Sequence, residues 1–214
     1  MMIVLLHGLL TDHRLWRKVV PLLDGIETVT PTLPLGSHTT PVPPGTDLSP
    51  PGLARLVAEQ LEGDVLLVGN DTGGAIAQLV AAHHPERVGG LVLTNCDAYE
   101  RFFPPLFRPL QYAARVPGGV EAIAASLRVP AARRLPIAHG KLTKRPIERA
   151  VTDAWAAPSR EDRLVFPPSI AERLAADFPR ARIEWIDDSL TFVPEDRPDA
   201  LAAILRAAAG VSSQ

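Results

Sequence analysis

Apolar residues run unbroken over Ile3-Val4-Leu5-Leu6 and over Val65-Leu66-Leu67-Val68, and again over Leu91-Val92-Leu93. Short apolar runs bounded by turn signals read as buried strands, here over residues 2–8, 65–68 and 90–95. A further short strand is predicted over 27–33. Between the strands the period changes. Leu15, Trp16, Val19, Val20 and Leu23 predict a helix over 12–23. Ser49 followed by Pro50 reads as an N-cap and first helical residue, opening a helix through Leu53, Leu56, Val57 and Leu61. After Val68 the chain passes through Gly69-Asn70-Asp71-Thr72-Gly73-Gly74 into a helix of small residues that ends near His84. Strands alternating with helices imply a parallel sheet with crossovers, an α/β fold.

The alternation stops after Cys96. Residues 98–149 carry several prolines and helix-like pieces with no strand signal, which reads as a helical insertion over the sheet. It resumes with a helix around 168–178, a strand "RIEWI" at 182–186 and a helix from Asp196 to Ala209. Residues 150–156 are the stretch available for one more short strand, and a strand is predicted there. Without it the sheet has a gap between the 90–95 and 182–186 strands.

Composition changes this picture little. The 214 residues suit one domain, with 46% apolar and 21% charged residues, as in ordinary globular proteins. The net charge of -2 gives no electrostatic reason to expect nucleic acid or an anionic membrane as partner. No 18-residue apolar run predicts a membrane span. The single cysteine, Cys96, cannot form an internal disulfide and fits a cytoplasmic setting as a small buried filler. No histidine or carboxylate cluster has metal-ligand spacing, so neither metal nor cofactor is expected.

The chemistry concentrates at the glycine turn. A strand, a tight Gly-x-x-x-Gly turn and a helix form the usual frame of a catalytic nucleophile. A phosphate-binding loop would need Lys and Ser/Thr after the second glycine, or a G-x-G-x-x-G spacing, and neither is present. With His7-Gly8 closing the first strand, "IVLLHG", "VGNDTGGAIAQ" and "HPERVGGLVL" fall in the order of the α/β-hydrolase superfamily, which residues 2–97 resemble strongly. The tail from "EDRLVFP" through "FVPEDRPDALAAIL" resembles the family's last acid loop, strand and helix. The resemblance implies a mostly parallel sheet flanked by helices, with a shortened N-terminus. Its core would comprise residues 1–97 and 160–214, and a helical cap residues 98–159.

The same resemblance places Asp71 at the nucleophile position. It gives the backbone N–H groups of Leu9 and Thr72 as oxyanion donors, and His7 as an organiser of the loop after Gly8. Within the superfamily an aspartate nucleophile resembles haloalkane dehalogenases and epoxide hydrolases, where the carboxylate forms an ester that activated water then cleaves. Against a dehalogenase stand Thr72 and Leu9, where those enzymes place halide-holding side chains. The two tyrosines, Tyr99 and Tyr112, lie in the insertion, where epoxide hydrolases carry donors to the epoxide oxygen; each could equally be a packing aromatic. Asp162 falls at the acid position or is a solvated surface carboxylate.

The pattern then breaks. The family's chain order ends in histidine, and here the aligned residue is Thr191. No histidine follows His139, and threonine accepts no proton near neutral pH. His83 and His84 end a helix away from the turn, and His13 is predicted to be exposed. His38 and His139 are the histidines topology leaves as stand-ins. Three functions stay open: a hydrolase of a small, apolar ester, epoxide or halide, a ligand-binding protein without turnover, and a lyase-type enzyme using Asp71 as acid and base. An apolar ligand is suggested by Phe102, Phe103, Leu106, Phe107 and Leu110, which could instead pack the cap. The oligomeric state is left open.

Overall fold

The computed structural model describes residues 1–38, 40, 42–99, 112, 126, 129, 131, 142–155 and 181–210. Four parallel strands form the sheet: β1 (Ile3–Leu6), β2 (Thr28–Val29), β3 (Val65–Asp71) and β4 (Val88–Cys96). Their spatial order is β2-β1-β3-β4. The chain winds outward from β1 to β2, then crosses back past β1 to lay down β3 and β4. The crevice between the C-terminal ends of β1 and β3 is therefore a topological switch point, where α/β sheets bind ligands.

Side chains along β1 and β3 alternate between two cores, as the period of a strand requires. Ile3, Leu5, Leu66 and Val68 face one layer, built from Leu15, Trp16, Trp155, Phe192 and Leu201. Val4, Leu6, Val65 and Leu67 face the other, built on α1 (Pro50–Gln60) and α2 (Thr72–His83) through Leu53, Val57, Ile76 and Val80. Each fully buried aliphatic side chain contributes about 1.5–3 kcal/mol. The predicted cap of α1 is present: Ser49 Oγ accepts from the Gly52 N–H at 3.2 Å.

Several expectations need correction. The helix over 12–23 is two 3-10 turns, His13–Trp16 and Val20–Leu23. Pro21 has no N–H to give, and its ring excludes the carbonyl a helix would bring from Arg17. The strand over 27–33 shrinks to Thr28–Val29, whereas β4 extends beyond 90–95 at both ends. The stretch 150–156 is not a strand: Arg149–Trp155 is a helix, α3. Val151 and Trp155, four residues apart on one helix face, bury together. Trp155 meets Phe192 edge-on at 5.9 Å, and its Nε1–H donates to Asp12 Oδ1 at 3.0 Å.

Residues 182–186 are not a strand either. Among the described residues nothing pairs with β4 on its far side, so this segment has no neighbouring strand to join, and Trp185 is exposed. The chain closes with α4 (Val193–Asp196) and α5 (Pro198–Ala208), close to the predicted final helix. The helix predicted at 168–178 and most of the 98–149 insertion lie outside the described residues. Among the described residues no helix is long and apolar enough to cross a membrane.

Candidate active site

Asp71 sits where β3 turns into α2, with φ 54° and ψ −130°. A non-glycine residue in this region stores roughly 1–3 kcal/mol and persists only where the surroundings over-determine it. Three glycines do so by close approach. A Cβ on Gly69 would fall 2.4 Å from the Gly74 Cα, and one on Gly73 would fall 2.4 Å from the His7 carbonyl oxygen. A Cβ on Gly74 would lie 2.2 Å from the Cys96 Cβ, so this glycine lets α2 pack against β4.

The fourth close approach shapes the site itself. A Cβ on Gly8 would stand 2.1 Å from Asp71 Oδ2. The carboxyl thus occupies the space a side chain at position 8 would fill. Oδ2 accepts from the Leu9 N–H at 3.0 Å, and the Thr72 N–H also acts on the carboxyl. Of the two N–H groups expected to serve a substrate oxygen, that of Leu9 therefore holds Asp71 Oδ2, and that of Thr72 acts on the same carboxyl.

His7 organises this loop. It is fully buried; Nε2 accepts from the Leu33 N–H at 2.8 Å, which leaves the proton on Nδ1, 2.9 Å from the Gly8 carbonyl. Burial pushes its pKa down to about 4. An uncharged ring with both nitrogens engaged has no capacity left as a base.

The Asp71 carboxyl is pushed the other way, up to about 8. Burial is the main cause, and the charge of Asp97 is the second; the Thr72 and Leu9 N–H groups oppose both. Asp97 directly follows β4 and is buried, and its N–H donates to the Asp71 carbonyl at 3.4 Å. Its Oδ2 accepts from the Thr72 hydroxyl at 3.1 Å, and Gln78 Nε2 donates to its carbonyl at 3.0 Å. Its negative charge thus disfavours a second one on Asp71. Cys96, the register partner of Asp71, is buried; burial and then the two acids push its thiol up to about 12, which leaves it unreactive.

The segment aligned with the missing histidine reaches the site. Asn70 Nδ2 donates to the Thr191 carbonyl at 2.6 Å and to Thr94, and Asn95 Nδ2 donates to the Leu190 carbonyl at 2.6 Å. Residues 190–191 are thereby tied across the ends of β3 and β4. The Thr191 hydroxyl is buried and has no hydrogen-bond partner among the described residues.

Among the described residues no histidine acts on the Asp71 carboxyl. His38 is half-buried and accepts from the Gly36 N–H at 3.4 Å. His13 is exposed, as expected, with Thr32 as its hydroxyl partner. Tyr99 and Tyr112 are exposed. Asp162 and His139 lie outside the described residues. Sequence reasoning missed Asp97, Asn70 and Asn95. The available signal was polar residues at the C-terminal ends of two adjacent central strands, in "GND" and "TNCD".

This geometry has relatives. Residues 3–213 match the Alpha/beta hydrolase family. The chain belongs to the α/β hydrolase family. Lipase LipV of Mycobacterium tuberculosis is 34% identical over 95 residues, a match covering 44% of this chain and 36% of that lipase. The chain thus spans about a third of the curated relative it matches. The fold is also that of an ancestral haloalkane dehalogenase, with TM-score 0.68, 20% identity, and 96% of this chain and 90% of that one covered. It is likewise that of the epoxide hydrolase CorEH, with TM-score 0.68, 17% identity, and 98% and 91% covered. The mostly parallel sheet flanked by helices is thus that of the α/β hydrolase fold. Among the described residues no group of three potential ligands could hold a metal ion.

Proposed function

We propose that the protein is a hydrolase of a small apolar molecule, with Asp71 as covalent nucleophile. The observation that carries this reading is the Asp71 carboxyl itself, held at a strained elbow with Oδ2 on the Leu9 N–H. One oxygen is fixed, so the other is the attacking atom. Attack on an electrophilic carbon gives an ester at Asp71. When water adds to that ester, negative charge develops on Oδ2, where the Leu9 N–H already points. Donors that hold the nucleophile's oxygen serve the second step, which suits an enzyme–ester intermediate. Family membership and the fold shared with dehalogenases and epoxide hydrolases support the same reading.

Incubation with epoxides, haloalkanes and activated aryl esters, followed by mass analysis of the peptide containing Asp71, tests it. Turnover, or added mass on Asp71 absent from Asp71→Asn, is the expected result. A second reading, ligand binding without turnover, draws on Thr191 at the aligned histidine position and on no histidine acting on Asp71 among the described residues. It predicts saturable binding of apolar ligands with neither adduct nor product. A third, acid–base lyase chemistry, draws on the raised pKa of Asp71 and predicts product without an adduct.

A further inference from the structure

We propose that Thr11 is a positioning residue, which aims the Leu9 N–H at the Asp71 carboxyl by holding the opposite side of the same peptide group. The catalytic meaning of this role rests on Asp71 being the nucleophile; the direction it sets does not. In a planar trans peptide the carbonyl and the following N–H point opposite ways, so fixing one fixes the other. The Gly8–Leu9 peptide is engaged on both sides. Its N–H reaches Asp71 Oδ2 at 3.0 Å. Its carbonyl accepts from the Thr11 hydroxyl at 2.9 Å and from the Thr11 N–H at 3.4 Å. His7 Nδ1, at 2.9 Å, is the third donor to that carbonyl. Thr11 and His7 are both fully buried, so the carbonyl is held by groups shielded from solvent.

The turn that Thr11 closes is kept in a shape its sequence does not favour. Gly8 to Thr11 is a four-residue turn whose third residue, Leu10, has φ 57°. A positive φ at that place is the mark of a type II turn, where glycine or asparagine is usual. A leucine persists there only where its surroundings over-determine it. The loop after β2 supplies that restraint at two points. The Leu10 N–H donates to the Leu35 carbonyl at 2.7 Å, and the Leu33 N–H donates to His7 Nε2 at 2.8 Å. Gly36 leaves the room, since a Cβ there would fall 2.5 Å from Leu10 Cδ2. These outer contacts fix where the turn lies. None of them touches the Gly8 carbonyl, so the rotation of the first peptide is left to His7 and Thr11. His7 meets the carbonyl from the strand end. Thr11 meets it from the other end of the turn, and its hydroxyl ties that end down.

The consequence is chemical. Strain is spent on presenting one N–H, and that N–H sits on the oxygen where charge gathers during ester hydrolysis. A peptide free to rotate would present the donor only part of the time.

The test compares the full chain with Thr11→Val, which removes the hydroxyl at nearly unchanged shape, and Thr11→Ser, which keeps it. The first readout is the Leu9 amide proton in NMR spectra. In wild type and Thr11→Ser its resonance should move as Asp71 titrates, and in Thr11→Val that movement should shrink. The second readout is turnover of styrene oxide and alkylation by 1-bromohexane. Thr11→Val should lose about 10–10²-fold in kcat with little change in KM, and should accumulate an ester on Asp71. Thr11→Ser should stay close to wild type. Should Thr11→Val not fold, Thr11→Cys, with a thiol that is only a weak donor, takes its place. Two results overturn the proposal: a Thr11→Val that loses stability in urea while keeping kcat and the Leu9 movement, or a Thr11→Ser that behaves like Thr11→Val. If wild type yields neither diol nor ester with either probe, the nucleophile reading fails, and the Leu9 movement still decides whether Thr11 sets the direction.

Discussion

The molecule buries acids in two places, and treats them differently. On the face formed by Asp12, Glu195 and Asp196 every carboxylate is matched. Glu195 meets Arg17 and Lys18. Asp196 accepts from the backbone N–H groups of Lys144, Arg145 and Leu190, all near 3.0 Å. Asp12 takes the Arg14 N–H and guanidinium and the Trp155 Nε1–H. At the elbow, the charge of a second acid, Asp97, acts against that of Asp71, and among the described residues backbone N–H groups alone stabilise it. Matched acids stitch distant segments together. An acid matched to another acid holds a proton in readiness, which is a feature of sites where proton transfer is part of the chemistry.

The difference can be broken from either side. The largest effect is expected for Asp71→Asn, which should lower hydrolysis by at least about 10⁴-fold and abolish the adduct, measured by turnover and peptide mass. On the matched face Asp196→Ala takes the acceptor from three part-buried backbone donors. It should cost about 1–3 kcal/mol in urea unfolding, because those N–H groups lose a charged acceptor. A loss below 1 kcal/mol would show that water reaches those donors. Gly8→Ala places a methyl where Oδ2 lies, and displacing the carboxylate by about 1 Å should slow turnover about 10²-fold. Unchanged kinetics would mean that the carboxyl works from another position.

The pH dependence of stability separates the two regions more finely. Asp71 has its folded pKa raised from 3.8 to about 8, so the native state keeps a proton that the unfolded chain releases. Its contribution is fully present below pH 4 and fades as pH rises to 8. Relative to wild type, Asp71→Asn should therefore gain stability between pH 5 and 8, as read from urea midpoints; a constant difference contradicts the raised pKa. The smallest effect is expected for Thr191→Val. Its buried hydroxyl has no partner among the described residues, so this near-isosteric change should leave stability within about 1 kcal/mol and activity unaltered. Lost turnover would instead assign the hydroxyl a part in catalysis.

The sequence makes the elbow half of the molecule easy to read because local rules decide it there. Unbroken apolar runs become β1, β3 and β4, Ser49-Pro50 opens α1, and the glycines around Asp71 have steric reasons visible in their spacing. Where distant residues decide, the reading fails. Periodicity favours one helix over 12–23, but Pro21 divides it. Residues 182–186 have a strand's composition but no strand to pair with among the described residues, and Arg149–Trp155 buries Trp155 against Asp12 and Phe192 as a helix. Asp97 was overlooked for the same reason: its importance comes from facing Asp71 across a β-ladder, 26 residues away by number, as shown by the Asp71↔Cys96 register.

The Asn70–Thr191 bond also bears on how the chain reaches its final form. It joins residues 121 apart in sequence, and the neighbouring Asn95–Leu190 bond spans 95. Closing loops of that length is slow compared with forming α2 on β3. During synthesis the elbow strand is complete long before residue 191 leaves the ribosome. Until then the Asn70 amide has only Thr94 as its partner. The pocket is therefore the last part of this half to set, and a nascent chain stalled before residue 190 would carry Asp71 and Asp97 in an open, hydrated crevice.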